Sequence, residues 1–447
     1  MNINEIPERV HFVGIGGVGQ SALAQHLLRT GHKVSGSDKV DGKQLEKLRN
    51  SGAIVHIGHD AANVDGAQLV VRTSAVGIDN VEVLQAQKMG IPVVLREQLL
   101  GAIVNDFDIR ICISGTHGKT TTTAMVSHVL RMAGVSHAAF IGGDFGGSNY
   151  LYGKGIALCE ACEYNRSFLQ LKPTVAVCLN AEFDHPDCYA DQRETENAFA
   201  KFVASAKNGI AVLPVDLAYF AKGKAELCGD GGSVCVSNIK LCQGIPSFDI
   251  FSDGCFVAGC KLRVKGLYNV QNALFAFAVC KCLNVPLLQA VHSLCTFGGV
   301  DRRWNELPCN CCRIVVDYAH HPTEISASLS TAKSMCNNTV CVFQPHTFSR
   351  TKAFMQQFAN CFVGTKVIFL PIFAAREQPV EGVDSASLAA LANRVGAEAY
   401  FANDFAEAKT IACNLLQDKS DILLILGAGD VVNFADYFAD NVSLTSS

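Results

Sequence analysis

The residues best able to do chemistry are Gly115-Thr116-His117-Gly118-Lys119-Thr120-Thr121. An apolar run, Ile109 to Ile113, leads into them, and a helix-patterned segment ending near Gly134 follows. A strand, a glycine-rich turn and a helix start gather backbone N–H groups and the positive end of a helix dipole at one point, where polyphosphate binds well. Lys119 then reaches the outer phosphates as a point charge, and the Thr120 hydroxyl sits on the magnesium ion that bridges them. The loop is shorter than the ordinary phosphate loop, whose first glycine would fall at Ile113. Thr120 to Thr123 are poor helix formers, so such a run at a helix start suits ligand contact better than propensity. A nucleoside triphosphate with magnesium is the expected ligand.

Two acidic clusters follow apolar, strand-like runs. Glu160-Ala161-Cys162-Glu163 closes one, and Asn180-Ala181-Glu182-Phe183-Asp184-His185-Pro186-Asp187 follows the next. In an open α/β sheet such strand ends converge on the phosphate loop and supply oxygen and imidazole ligands to magnesium. A second glycine-rich turn, Gly14-Ile15-Gly16-Gly17-Val18-Gly19, lies after Val10 to Val13, and the strand from Lys33 to Ser37 ends in Asp38. Gly16, Gly17 and Gly19 let a backbone approach a pyrophosphate, and Asp38 can accept from a ribose hydroxyl. Any nucleoside diphosphate satisfies that pattern. An NAD-dependent oxidoreductase would use it but would leave the phosphate loop idle, and a non-enzymatic nucleotide sensor would not need Glu160, His185 or Arg350.

The elements that position these groups must be several. A chain of 447 residues exceeds one ordinary core, and about 150 residues per domain suggests three. We expect an α/β protein: a Rossmann-like domain at 1–105, a central ATPase-type phosphate-loop domain at 106–307 with a small hairpin region near Gly229 to Gly254, and a Rossmann-like domain at 308–447 after a Cys/Asn-rich linker near Pro308. In the last domain, apolar runs lead to Asp317-Tyr318-Ala319-His320-His321, to the segment holding His346 and Arg350, and to Phe373-Ala374-Ala375-Arg376. One sheet edge would thus present cationic groups to an anionic ligand.

The net charge of −4 offers no general attraction for nucleic acid or an anionic membrane. The 20 cysteines are well below the ~8–10% density of a disulfide scaffold and read as small buried hydrophobes in a reducing compartment. Cys309, Cys311 and Cys312 lack the paired spacing of a structural zinc site. Glu5, Glu8 and Arg9 leave no signal-peptide core, and no apolar run approaches ~18 residues, so a cytoplasmic protein without membrane insertion is expected. A monomer or homodimer is equally compatible.

Taken together, HFVGIGGVG at 11–19, GTHGKTTTTAM at 115–125, EACEYNRSFL at 160–169, the Asn180, Glu182, Asp184, His185 pattern, GLYNVQNA at 266–273, Arg302-Arg303, DYAHHPTEI at 317–325, QPHTFSRTK at 344–352 and FAARE at 373–377 are specific. The chain resembles the Mur ligase superfamily from end to end. The resemblance implies a UDP-binding first domain, a central ATPase and a third domain that closes over the site. It implies that ATP and Mg2+ activate the carboxylate of UDP-N-acetylmuramate as an acyl phosphate, which the amine of L-alanine attacks. The runner-up is a recycling ligase that attaches a preformed peptide.

The implied roles are as follows. Gly115, Thr116, His117, Gly118, Lys119, Thr120 and Thr121 cradle ATP, and Asn269, Arg302 and Asp317 hold its adenine, phosphate or ribose. Thr120, Glu160 and His185 hold magnesium. Gly16, Gly17, Gly19, Asp38, Ser74, His321, His346, Arg350 and Arg376 bind substrate. Lys119, Glu163, His346 and Arg350 serve catalysis, with Glu163 either adding a ligand or orienting the amine. Tyr268 stands where this type of ligase usually has His, and Cys162-Glu163-Tyr164 departs from Asp-Glu-Ser. No carbamylated lysine is expected near Phe199 and Lys201.

Overall fold

In the computed structural model, which describes residues 1–439, three α/β sheets follow one another along the chain. The first is fully parallel, in the spatial order Ile54–Ile57, Lys33–Asp38, Arg9–Val13, Leu69–Arg72, Val93–Leu95. Strand order reverses at Arg9–Val13, and a crevice opens there at the strands' carboxyl ends, the usual ligand position in a doubly wound sheet. The second sheet has ten strands. Ile109–Ser114 lies between Val175–Cys178 and Ile156–Glu160, both parallel to it. The phosphate loop and both acidic clusters therefore leave the same edge.

The expected hairpin region is a three-stranded antiparallel extension, Val234–Cys242, Ile245–Ser252 and Cys255–Lys261. Sequence reading passed over Ala138–Phe145 and Ser148–Leu151, which form the opposite edge. Gly142, Gly143, Gly146 and Gly147 disguise them, because glycine in a strand reads as a turn.

The third sheet is parallel except for Asn305–Leu307, which pairs antiparallel with Arg313–Asp317. The expected linker near Pro308 is thus a hairpin loop inside the third sheet, and that sheet begins before residue 308. Its central strand Thr339–Phe343 is buried on both faces: Val340 and Val342 enter one apolar cluster, Cys341 and Phe343 the other. Phe343 is fully enclosed, so truncation to alanine would cost about 3–5 kcal/mol. The same alternation sends Ile111 and Ile113 to one face of the second sheet and Cys112 to the other. All 20 cysteines are unpaired thiols. Among the described residues, no helix is long and apolar enough to cross a membrane.

Candidate active site

The strand Ile109–Ser114 turns sharply through Gly115 and Gly118, at φ 145° and 84°, into the helix Lys119–Met132. A Cβ on Gly118 would stand 2.5 Å from Asn272 Oδ1 and 3.2 Å from Leu179 Cδ1, so neither the conformation nor the space tolerates a side chain. The loop faces a cleft of about 460 Å³ that His117, Gly118, Thr121, Asn272, Asp317 and Glu324 line from two of the three domains. Thr121 lines the cleft and Thr120 directs its hydroxyl to Glu160, although both are largely buried. Thr122 and Thr123 are fully buried, and Thr122 donates to Asn272 Oδ1 at 3.3 Å, so half of the threonine run is packing.

Lys119 Nζ lies 2.8 and 3.0 Å from the Glu163 carboxylate oxygens and also donates to the Gly115 and Thr116 carbonyls. Burial disfavours its charge, but Glu163 outweighs burial and holds the amine above its usual range. Glu163 behaves reciprocally: burial pushes its carboxyl up, and Lys119 and His185 bring it below the usual value. His185 Nε2 stands 3.6 Å from Glu163. The expected magnesium set is thereby divided. Thr120 Oγ1 donates to Glu160 Oε2 at 3.0 Å, whereas His185 belongs with Glu163 and Asp184.

Glu160 accepts from the Gly142 N–H as well, yet burial still raises its carboxyl above the usual range, the mark of a carboxylate short of positive charge. A hydroxyl and one such carboxylate fit Mg2+, which takes few protein oxygens and completes its shell with water and phosphate. An imidazole suits it less well.

Five of the expected substrate residues, Gly17, Gly19, Asp38, Ser74 and Arg376, line a second cavity of about 590 Å³, and Glu160 lines it too. Gly16 N–H donates to Asp38 Oδ2 at 2.9 Å, fixing the carboxylate against the glycine turn. Arg376 reaches from the third domain to the Ser74 carbonyl at 3.1 Å.

Other expectations need correction. Arg302 is exposed and lies over the Tyr318 ring, 4.9 Å from its centre, while Arg303 enters the cleft and approaches Glu324 at 3.9 Å. Positive φ at Arg302 (63°) and Trp304 (51°) turns the chain so that the second arginine points inward. Asn269 stands behind Asn272, accepting from its Nδ2 at 3.0 Å, and lines a neighbouring cavity of about 440 Å³. His321 reaches neither main cavity: its Nδ1 accepts from Thr323 N–H to cap the helix Pro322–Lys333, and its Nε2 faces the Phe183 carbonyl at 3.3 Å. Asp317 is buried in the cleft and accepts from Ser328 Oγ at 2.5 Å.

Arg350 and His346 line neither main cavity: the Arg350 guanidinium binds Asp184 with two hydrogen bonds and contacts His346 Nδ1 at 3.2 Å. Burial and the Arg350 charge lower the His346 imidazole to about 4, so it is neutral near pH 7. His117 is the reverse. Burial opposes its charge, but Glu182 at 3.4 Å and Glu324 at 3.3 Å raise it to about 9. Sequence reading did not single out Asp184, Arg303, Glu182 or Glu324. Each lay inside a motif already noted, but only folding shows which member of a motif faces inward.

These features define an α/β protein whose phosphate-loop cleft stands beside a second cavity, at the carboxyl ends of the first sheet's strands. Family models describe the same division: the Mur ligase family catalytic domain matches residues 9–108, the Mur ligase middle domain 113–280 and the Mur ligase glutamate ligase domain 302–429. The chain belongs to the Mur ligase family. It is 37% identical to the UDP-N-acetylmuramate–L-alanine ligase of Clostridium acetobutylicum, over 97% of this chain and 98% of that one. It is 35% identical to that of Clostridium perfringens, over 98% of both. The crystal structure of UDP-N-acetylmuramate-alanine ligase from Thermotoga maritima superposes with TM-score 0.82 at 27% identity, covering 97% of this chain and 98% of that one. A murein peptide ligase from Psychrobacter arcticus gives 0.72 at 21%, covering 98% of this chain and 100% of that one, a likeness of fold.

Proposed function

We infer that the chain is an ATP-dependent ligase that joins L-alanine to the carboxylate of UDP-N-acetylmuramate through an acyl phosphate, a step of peptidoglycan precursor synthesis. The end-to-end identity of 37% to a curated ligase of that specificity carries the reading. The murein peptide ligase likeness is one of fold, and the recycling activity ranks behind.

In this reading the three sheets are three domains: 1–105 for the UDP part, a central ATPase, and a third domain whose start we place before Asn305 instead of at 308. UDP-N-acetylmuramate occupies the cavity of Gly17, Gly19, Asp38, Ser74 and Arg376, with its carboxylate directed toward Glu160 and the phosphate loop. ATP occupies the cleft over Gly115 to Thr121, with Asn272, Arg303 and Asp317 toward its nucleoside end. Thr120 and Glu160 would hold Mg2+, which when bound neutralises phosphate charge.

A carboxylate approaching a γ-phosphoryl group meets like charge, and Lys119 and the His117 imidazolium offset it. Lys119 must leave Glu163 for phosphate, which frees Glu163 to orient the incoming amine and accept its proton. His346 is neutral and Arg350 is paired, so they position the third domain's contribution instead of balancing charge alone. Arg376 on Ser74 and Arg350 on Asp184 hold the third domain against the other two, excluding water that would hydrolyse the acyl phosphate. We place the enzyme in the cytoplasm, where ATP and free thiols coexist.

Purified protein should release phosphate only with UDP-N-acetylmuramate, L-alanine, ATP and magnesium together. Turnover with a murein tripeptide but not alanine would transfer the chain to the recycling enzymes. Glycine and serine belong in the panel, because pockets discriminate weakly between small side chains.

A further inference from the structure

The loop 308–312 joins Asn305–Leu307 to Arg313–Asp317 and carries Cys309, Cys311 and Cys312. Spacing alone argued against zinc, but folding brings the sulfurs together: all three lie within 4.8 Å of one another, with Cys309 and Cys311 Sγ atoms 3.0 Å apart and Cys311 and Cys312 Sγ atoms 3.9 Å apart. Thiolates ~2.3 Å from a zinc ion stand about 3.8 Å apart at tetrahedral angles, so small side-chain rotations suffice. Cys311 and Cys312 are buried and Cys309 is partly exposed, leaving one side open for entry. A fourth thiol, Cys413 on the helix Phe405–Leu415, packs on the same apolar cluster.

We propose that this hairpin loop is a thiolate site for a zinc-class d¹⁰ metal ion, held by Cys309, Cys311 and Cys312 and separate from the nucleotide cleft. Binding replaces up to three thiol protons, released to buffer, by three metal–sulfur bonds, with no change of oxidation state. The consequence is mechanical. The hairpin follows Arg303 and Trp304, and its Glu306 pairs with Lys265 of the central domain and with Arg313, so the metal fastens the segment by which the third domain is joined on.

The full-length, phosphine-reduced protein titrated with Co2+ tests this. A thiolate-to-cobalt charge-transfer band should saturate at one equivalent and vanish when Zn2+ is added, and zinc should slow alkylation of Cys309 by iodoacetamide. Cys309→Ser should weaken cobalt binding by at least about tenfold, since losing even a group behind a ligand costs about that much. Cys242→Ser, an exposed thiol on the antiparallel extension, should change nothing. Absence of the band, its persistence in Cys309→Ser with unchanged affinity, or conversion of the loop to a Cys309–Cys311 disulfide without metal uptake would overturn the proposal.

Discussion

The Arg350 guanidinium forks onto the Asp184 carboxylate with hydrogen bonds of 2.9 and 3.1 Å, although 166 residues separate them. Both are about 95% enclosed, and they belong to different domains. A buried bidentate pair resists opening, and breaking one side leaves a charge stranded. Arg350→Ala should cost about 3–5 kcal/mol and nearly abolish turnover. Arg350→Ala/Asp184→Asn should recover part of the stability but not the activity. A double-mutant cycle by denaturant unfolding checks this, and additivity within about 0.5 kcal/mol would show that the two are uncoupled.

Lys119→Ala should eliminate phosphate release, since it removes the amine that is bonded to the loop's own carbonyls. It should also lower stability by about 1–3 kcal/mol, because Glu163 is left buried with its Lys119 partner gone and His185 3.6 Å away. Lys119→Ala/Glu163→Gln should restore the melting temperature while activity stays absent. Calorimetry alongside a phosphate assay separates the two effects.

The His117 imidazolium sets a pH dependence. Its folded value, about 9, exceeds its ordinary value near 6.5. The contribution is therefore complete below pH about 6.5 and is lost as pH rises through about 9. The melting temperature of the wild type should fall between those limits more steeply than that of His117→Gln. Parallel curves would mean that Glu182 and Glu324 do not hold the charge.

Gly118→Ala should reduce ATP affinity and stability together. It places a methyl 2.5 Å from Asn272 Oδ1 in a left-handed conformation, a strain of about 1–3 kcal/mol. Gly134→Ala, also at positive φ but with open space around it, should lower stability by less and leave ATP affinity unchanged. Nucleotide titration by fluorescence makes the comparison.

Glu160→Gln should raise the magnesium concentration needed for half-maximal activity by about tenfold or more, while His185→Gln should raise it less. Equal effects would return His185 to the metal set. The measurement is turnover against magnesium at saturating ATP.

The strand, glycine turn and helix around Lys119, the Asp38 fingerprint and the apolar runs of the third domain could all be read from the chain, because each rests on residues a few positions apart. Local spacing expresses backbone geometry directly. Choices between neighbours could not be read: Arg303 and not Arg302 enters the cleft because two positive-φ residues reorient the chain there, and His321 spends both ring nitrogens on a helix cap and a carbonyl. The pairing of Asp184 with Arg350, the division of Glu160 from His185 and the gathering of the three loop thiols likewise belong to tertiary structure. They depend on distances between elements far apart in the chain or on the closure of a hairpin, and one-dimensional order carries no measure of either.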